Sequence, residues 1–343
     1  MNLKQLAEHL KLSPTTVSRA LNGYPEVKEA TRERVQLAAK KYHYQPSHHA
    51  NSLATGRAKA IGHVVPLSKH MMINPHFSDF IAGAGEVYSK AGYDMLLRVV
   101  SEDEEEAVYR SFAKNGRVDG VIVHGPTTDD PRVDLLQELQ LPFVVHGRTL
   151  QDEASYSWLD VNNFRAFERA TKFLIDLGHQ DIALINGFES MNFALRRRDG
   201  YLSALQQADI NANSDLMFSS EMIEPQGYEA VKSLINQNRL PTALLLSSVL
   251  PALGVVRAIQ EAGLVLGKDI SIITFDDQLS FLQNSGDIPL FTSLRSSIQE
   301  AGRRLAEILI ETIESNKSST SANRHELWEA ELVLGTSTGP PAK

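Results

Sequence analysis

Thr15, Thr16, Ser18, Arg19 and Asn22 fall within one short stretch and form a single chemical set: hydroxyls, a guanidinium and an amide, with no carboxylate among them. These are the groups that read base edges. Arg19 can bond guanine through two parallel hydrogen bonds, Asn22 can bond adenine or a phosphate, and threonine methyls can touch thymine methyls. Val17, Ala20 and Leu21 alternate with them at helical spacing, so an apolar stripe holds the helix down while the polar set faces out. A plain helical hairpin would show the same spacing, so the pattern alone leaves both readings open. Catalytic groupings are weaker. Glu102-Asp103-Glu104-Glu105-Glu106 reads as the acidic start of a helix, where carboxylates suit the dipole. There is no Gly-x-Ser-x-Gly, phosphate loop or dinucleotide fingerprint. The 11 histidines show no metal-ligand spacing beyond His48-His49, which is expected to lie near phosphate. No catalytic residue, metal or cofactor is expected.

The elements around the polar set support it. Leu3, Leu6, Ala7 and Leu10 share one face of a first helix. Ser13 is a good cap and Pro14 a good first residue for a second helix through Asn22, ended by Gly23. A third helix from Thr31 turns Val35, Ala38, Ala39 and Tyr42 inward. Two helices followed by a third around one small core fit a helix-turn-helix unit as well as a plain helical hairpin. Tyr44-Gln45-Pro46 breaks the pattern, and Ser47 could cap a short helix holding Ala50, Leu53 and Ala54 that stops at Gly56. Such a helix is too short to persist alone in water.

From Ala58 the texture changes to alternating strands and helices, beginning with the buried run Ala60–Pro66 and repeating twice through Ile270–Thr274. That order predicts two α/β lobes with parallel sheets. Charge divides at the same place. Residues 1–57 hold nine Lys or Arg against four Glu, a net +5. The chain total of −8 therefore leaves −13 on the remainder. A basic end on an acidic body suggests that one end meets phosphate. At 343 residues more than one domain is expected. The absence of cysteine excludes disulfides and thiol catalysis. No apolar run approaches a membrane span, and Met1-Asn2-Leu3-Lys4-Gln5 has no secretory character, so a cytoplasmic, nucleoid-associated location without a membrane partner is expected.

The stretch Leu6-Ala7-Glu8, then Leu12-Ser13-Pro14-Thr15-Thr16-Val17-Ser18-Arg19-Ala20-Leu21-Asn22, Thr31-Arg32-Glu33-Arg34-Val35 and Tyr44-Gln45-Pro46 resembles the headpiece of the lactose-repressor (LacI/GalR) family. The resemblance continues through Asn74-Pro75-His76-Phe77, Gly116-Arg117-Val118-Asp119-Gly120, Leu177-Gly178-His179, Arg197-Arg198-Asp199-Gly200-Tyr201 and Phe275-Asp276-Asp277. Lys11 departs from it, standing at the turn where many members carry glycine.

The resemblance implies an α/β protein: an all-α helix-turn-helix headpiece at 1–46, a hinge helix at 47–57, and a two-lobed, periplasmic-binding-protein-like domain at 58–343. The first lobe is expected at about 58–160 plus 290–320, and the second at about 161–289 plus 321–343. It implies a homodimer on near-palindromic operator DNA, with Pro14, Thr15, Thr16, Ser18, Arg19 and Asn22 in the major groove. Leu53, with Ala50 beside it, would wedge into the minor groove. It also implies a sugar effector in the cleft, with Arg197 and Asp276 as polar contacts, Phe77 as an apolar wall, and His146 and Arg148 after a first-lobe strand. Ser248 is a weaker contact, because Ser247-Ser248 replaces the Asn-Asp of many members. His146-Gly147-Arg148 is similar to regulators of α-glucoside or trehalose use. The expected function is a repressor released by sugar. The alternatives are a co-repressor-dependent regulator and a stand-alone sugar-binding protein. No leucine heptad closes the chain, so a dimer is expected rather than a tail-assembled tetramer.

Overall fold

The computed structural model describes residues 1–21, 23–44, 56–67, 75–151, 153–275, 279, 288–315 and 322–342. It divides into two units, Met1–Ala58 and Lys59–Lys343. Asn22, Ala50, Leu53, Asp276 and the expected hinge helix lie outside the described residues.

In the first unit, helices Leu3–Leu10, Pro14–Leu21 and Glu29–Lys41 bury Leu6, Leu10, Val17, Ala20 and Val35 in one small core. Asn2 and Gln5 form a reciprocal capping box on the first helix. Lys11 ends that helix in the left-handed region (φ 53°), so the position does demand the conformation that glycine adopts most easily. Arg34 adds a partner for the helix end by donating to Leu10 O at 2.5 Å. Ser13 caps the second helix, accepting the Thr16 N–H at 3.1 Å.

The second unit contains, among the described residues, two sheets whose strands we number in chain order. The first sheet holds β1 (Ala60–Pro66), β2 (Asp94–Val100), β3 (Gly120–His124), β4 (Phe143–His146), β5 (Ser157–Val161) and β11 (His325–Trp328). The second holds β6 (Ile182–Asn186), β7 (Met217–Ser219), β8 (Ala243–Leu246), β9 (Ser271–Phe275), β10 (Thr292–Arg295) and β12 (Glu331–Val333). Their orders are β11-β5-β4-β3-β1-β2 and β12-β10-β9-β8-β6-β7. All pairings are parallel except β12 with β10.

Parallel strands need helical crossovers, and these cover both faces of each sheet. Helices Pro75–Ala91 and Ile298–Ser315 pack on one face of the first sheet, Glu105–Asn115 and Pro131–Glu138 on the other. The second sheet lies between Asn163–Asp176 with Asn192–Gln207 and Glu224–Asn236 with Val249–Glu261.

The lobe limits expected from sequence need adjustment at the C-terminal end. β10 pairs in the second sheet and β11 in the first, so the chain crosses between lobes after β5, after β10 and after β11. The two late strands are four residues long, and neither carries a run apolar enough to assign it to a sheet from sequence.

Candidate functional site

In both lobes the loops that follow the strands' carboxyl ends converge on one cavity of about 210 Å³. This is where ligands bind in open parallel sheets. His124 ends β3, His146 ends β4, Asp160 stands one residue before the end of β5, and Phe275 ends β9. Phe77 and Phe80, from the helix Pro75–Ala91, add aromatic surface.

Of the ligand-contact residues expected from sequence, Phe77, His146, Arg148, Arg197 and Ser248 all line this cavity. Arg197 is only 6% exposed. Its Nε donates to Asn163 Oδ1 at 2.7 Å and its Nη1 to Ser247 O at 2.6 Å. Its guanidinium stacks on Phe275, 3.9 Å from the ring centroid, with Phe193 at 4.8 Å. A guanidinium held this way keeps a fixed orientation before any ligand arrives.

Ser248 has a structural task as well. It caps the helix Val249–Glu261, accepting the Leu250 N–H at 3.2 Å, and it hydrogen-bonds His76 Nε2 at 3.3 Å. His76 and Ser248 belong to different lobes, so this bond spans the cleft. Backbone bonds also join the lobes, from Thr128 N to Ser190 O at 3.0 Å and from Asn192 N to Pro126 O at 3.2 Å.

On the first-lobe side Arg148 donates to Asp160 at 2.9 Å and to Glu153 at 2.9 Å. Burial alone would lower the guanidinium's pKa, but the bonds to Asp160 and Glu153 raise it. Burial raises the Asp160 carboxyl above its ordinary value, against the pull of Arg148.

Behind these groups runs a buried histidine chain. Tyr88 Oη meets His63 Nε2 at 3.1 Å, and His63 Nδ1 meets His124 Nε2 at 3.0 Å. His146 stacks on Phe80 at 4.9 Å. Burial lowers His63 to about 3 and His146 to about 4. His76 also falls to about 4, through burial first and the Arg197 charge second, with Asp79 opposing. His124 lies well below the ordinary histidine value through burial and then the neighbouring His63, His146 and Arg132. Near neutrality these imidazoles are uncharged. Among the described residues no cluster of His, Asp or Glu is arranged to hold a metal ion, and no helix is long and apolar enough to cross a membrane.

In the three-helix unit Pro14, Thr15 and Arg19 are exposed, while Thr16 and Ser18 are half-buried. Among the described residues Arg19 makes only a solvent-exposed ion pair with Glu26 at 3.5 Å, which constrains it little. Residues missed by sequence reasoning include Asp160, Asn163, His124 and Phe80. His124 carried a usable signal, a polar residue closing an apolar strand.

A helix-turn-helix unit together with a two-lobed unit enclosing a polar and aromatic cavity defines a ligand-sensing DNA-binding regulator. Residues 2–47 match the model for bacterial regulatory proteins of the lacI family. Residues 58–327 match the model for periplasmic binding proteins and the sugar binding domain of the LacI family. The chain belongs to the LacI family, and it is a DNA-binding regulator rather than an enzyme.

It is 43% identical over 341 residues to the HTH-type transcriptional regulator AglR of Rhizobium meliloti (strain 1021), covering 99% of this chain and 95% of that one. It is similar in structure to the transcriptional regulator CelR in complex with cellobiose, at TM-score 0.73 and 27% identity over 98% of this chain and 99% of that one. It also shares the fold of the lac repressor dimer bound to operator and the anti-inducer ONPF, at TM-score 0.85 and 23% identity over 99% of each chain.

Proposed function

We propose that this protein is a repressor that binds a near-palindromic operator as a homodimer and is released when a small neutral sugar, an α-glucoside disaccharide, fills the cavity. The observation that carries this reading is the cavity wall. The rings of Phe77 and the half-buried Phe193 stand beside fixed polar groups from His146, Arg148 and Arg197, with the buried Phe80 and Phe275 packed on His146 and Arg197. A sugar presents the matching surface, with apolar C–H faces for the rings and a fan of hydroxyls for the guanidinium forks. The complex of CelR with cellobiose, a neutral disaccharide, supports a ligand of that size and charge. On the DNA side, Pro14, Thr15, Thr16, Ser18, Arg19 and Asn22 would meet the major groove, and Ala50 and Leu53 the minor groove. Asp276 would join Arg197 in orienting the sugar.

The test is a thermal-shift screen of the full chain against neutral mono- and disaccharides. A ligand at about 100 times its Kd adds about 2.7 kcal/mol to stability, and so raises the melting point by several degrees. The sugar that does so should also lower affinity for duplexes selected from a randomised near-palindromic pool. If no sugar moves the melting point, the reading fails. A sugar that tightens DNA binding would replace release with co-repression.

Arg197→Ala should weaken that sugar by about 100-fold, or about 2.7 kcal/mol, as expected when charged hydrogen bonds to two hydroxyls are lost. Operator affinity without sugar should stay within about twofold. Unchanged sugar affinity, measured by calorimetry, would remove Arg197 from the ligand site.

A further inference from the structure

If the cavity holds a sugar effector, the reading on which this inference rests, the charge arrangement around Arg148 bears on which sugars it accepts. Arg148 enters the cavity wall from the first lobe with a side chain that is 12% exposed. A guanidinium so withdrawn from water would attract any anionic group on an incoming ligand. Here its charge already has partners. Nε–H donates to Asp160 Oδ2 at 2.9 Å, and Nη1 donates to Glu153 Oε2 at 2.9 Å. Among the described residues its Nη2 takes no hydrogen-bond partner.

Asp160 is itself held from its other side. Its Oδ1 accepts the Val161 N–H at 2.8 Å and Asn163 Nδ2 at 3.3 Å. Asn163 in turn accepts Arg197 Nε through Oδ1 at 2.7 Å. The two cavity guanidiniums, one from each lobe, are thus joined through Asp160 and Asn163, next to the segment where the chain first crosses between lobes. Asp160 lines the cavity and is 6% exposed, so its charge is felt there with little screening.

We propose that Asp160 is a specificity-determining residue: with Glu153, whose other oxygen serves Arg196, it neutralises Arg148 in the cavity wall and so reserves the site for uncharged polyols against acid sugars and sugar phosphates. A hydroxyl loses nothing from this balance, since it can accept from Arg148 Nη2 and donate to a carboxylate. A uronate or phosphate meets an arginine already neutralised and a carboxylate that repels it.

The experiment compares wild type with Asp160→Asn, which removes the charge but keeps size and one acceptor. Probes are the neutral sugar giving the largest wild-type shift, D-glucuronate and glucose 6-phosphate, with affinities from calorimetry. Wild type should bind the neutral sugar and neither anion. Asp160→Asn should bind the neutral sugar at least about tenfold more weakly and gain measurable affinity for at least one anion, a change that loss of packing alone would not produce. Should the single variant fail to fold, Asp160→Asn with Arg148→Gln decides: with both charges gone, it should accept the neutral sugar and refuse both anions. Anion binding by wild type or by the double variant, or an Asp160→Asn protein that discriminates as wild type does, would overturn the proposal. A wild type that binds no sugar of either kind would bring down the effector reading and this inference together.

Discussion

Gly302→Val should destabilise the second unit by at least about 4 kcal/mol, at the extreme of single-substitution effects and a large share of a typical domain's stability. The cause is backbone contact. Helices Pro75–Ala91 and Ile298–Ser315 approach so closely that a Cβ on Gly302 would lie 2.2 Å from Phe80 O, and one on Gly83 1.9 Å from Gln299 O. No rotamer change relieves a clash with a carbonyl, so the helices must separate. Separation would empty part of the core formed by Phe80, Ala84, Leu305 and Leu309. The same two helices carry Phe77, Phe80, Ile298 and Ala301 to the cavity, so whatever folded fraction remains should also lose its sugar-induced thermal shift. Gly85→Ala is the control: a Cβ there meets nothing closer than Met95 Cε at 4.0 Å. It should be neutral or stabilising by up to about 1 kcal/mol through helix propensity. Urea unfolding of the three proteins measures both effects, and a Gly302→Val midpoint equal to wild type would contradict the close crossing.

The helix-turn-helix was legible because three short amphipathic helices must share a core of Leu6, Leu10, Val17 and Val35, and little else fits that spacing. The strand–helix alternation was legible for the same reason, since buried parallel strands such as Gly120–His124 are continuous apolar runs. Helix starts are harder to read. Proline looks like a breaker, yet Pro131, Pro225 and Pro251 all sit in first turns, where a missing N–H costs nothing. Strand β5 is not legible in the sequence, because Ser157 and Asp160 interrupt its apolar character. With the strand went Asp160 and Asn163, although a polar residue near the carboxyl end of a parallel strand is where a site residue should stand. His63 gave no local sign. It lies mid-strand, fully buried between Ile61 and Val64, and only the fold brings Tyr88 and His124 to its two nitrogens.

Histidines in and around the cavity carry the other large effect, a loss of stability in mild acid. His63 is held at about 3, and His76 and His146 at about 4, all below the roughly 6.5 of an unfolded chain. Between those limits the unfolded chain takes up a proton that the folded chain refuses. Stability is therefore complete above about pH 6.5 and falls as pH drops toward 4. From pH 7 to pH 4.5 each such imidazole should cost about 2 kcal/mol, and the three together a large part of a typical folding free energy. Urea unfolding at the two pH values measures the total, to which the carboxylates also contribute. His146→Gln isolates one share. His146 makes no hydrogen bond among the described residues, and it lies on the cavity wall against Phe80, so its replacement disturbs little else. The variant should lose about 2 kcal/mol less than wild type over the same interval. An identical acid loss in both proteins would mean that His146 protonates freely in the folded state.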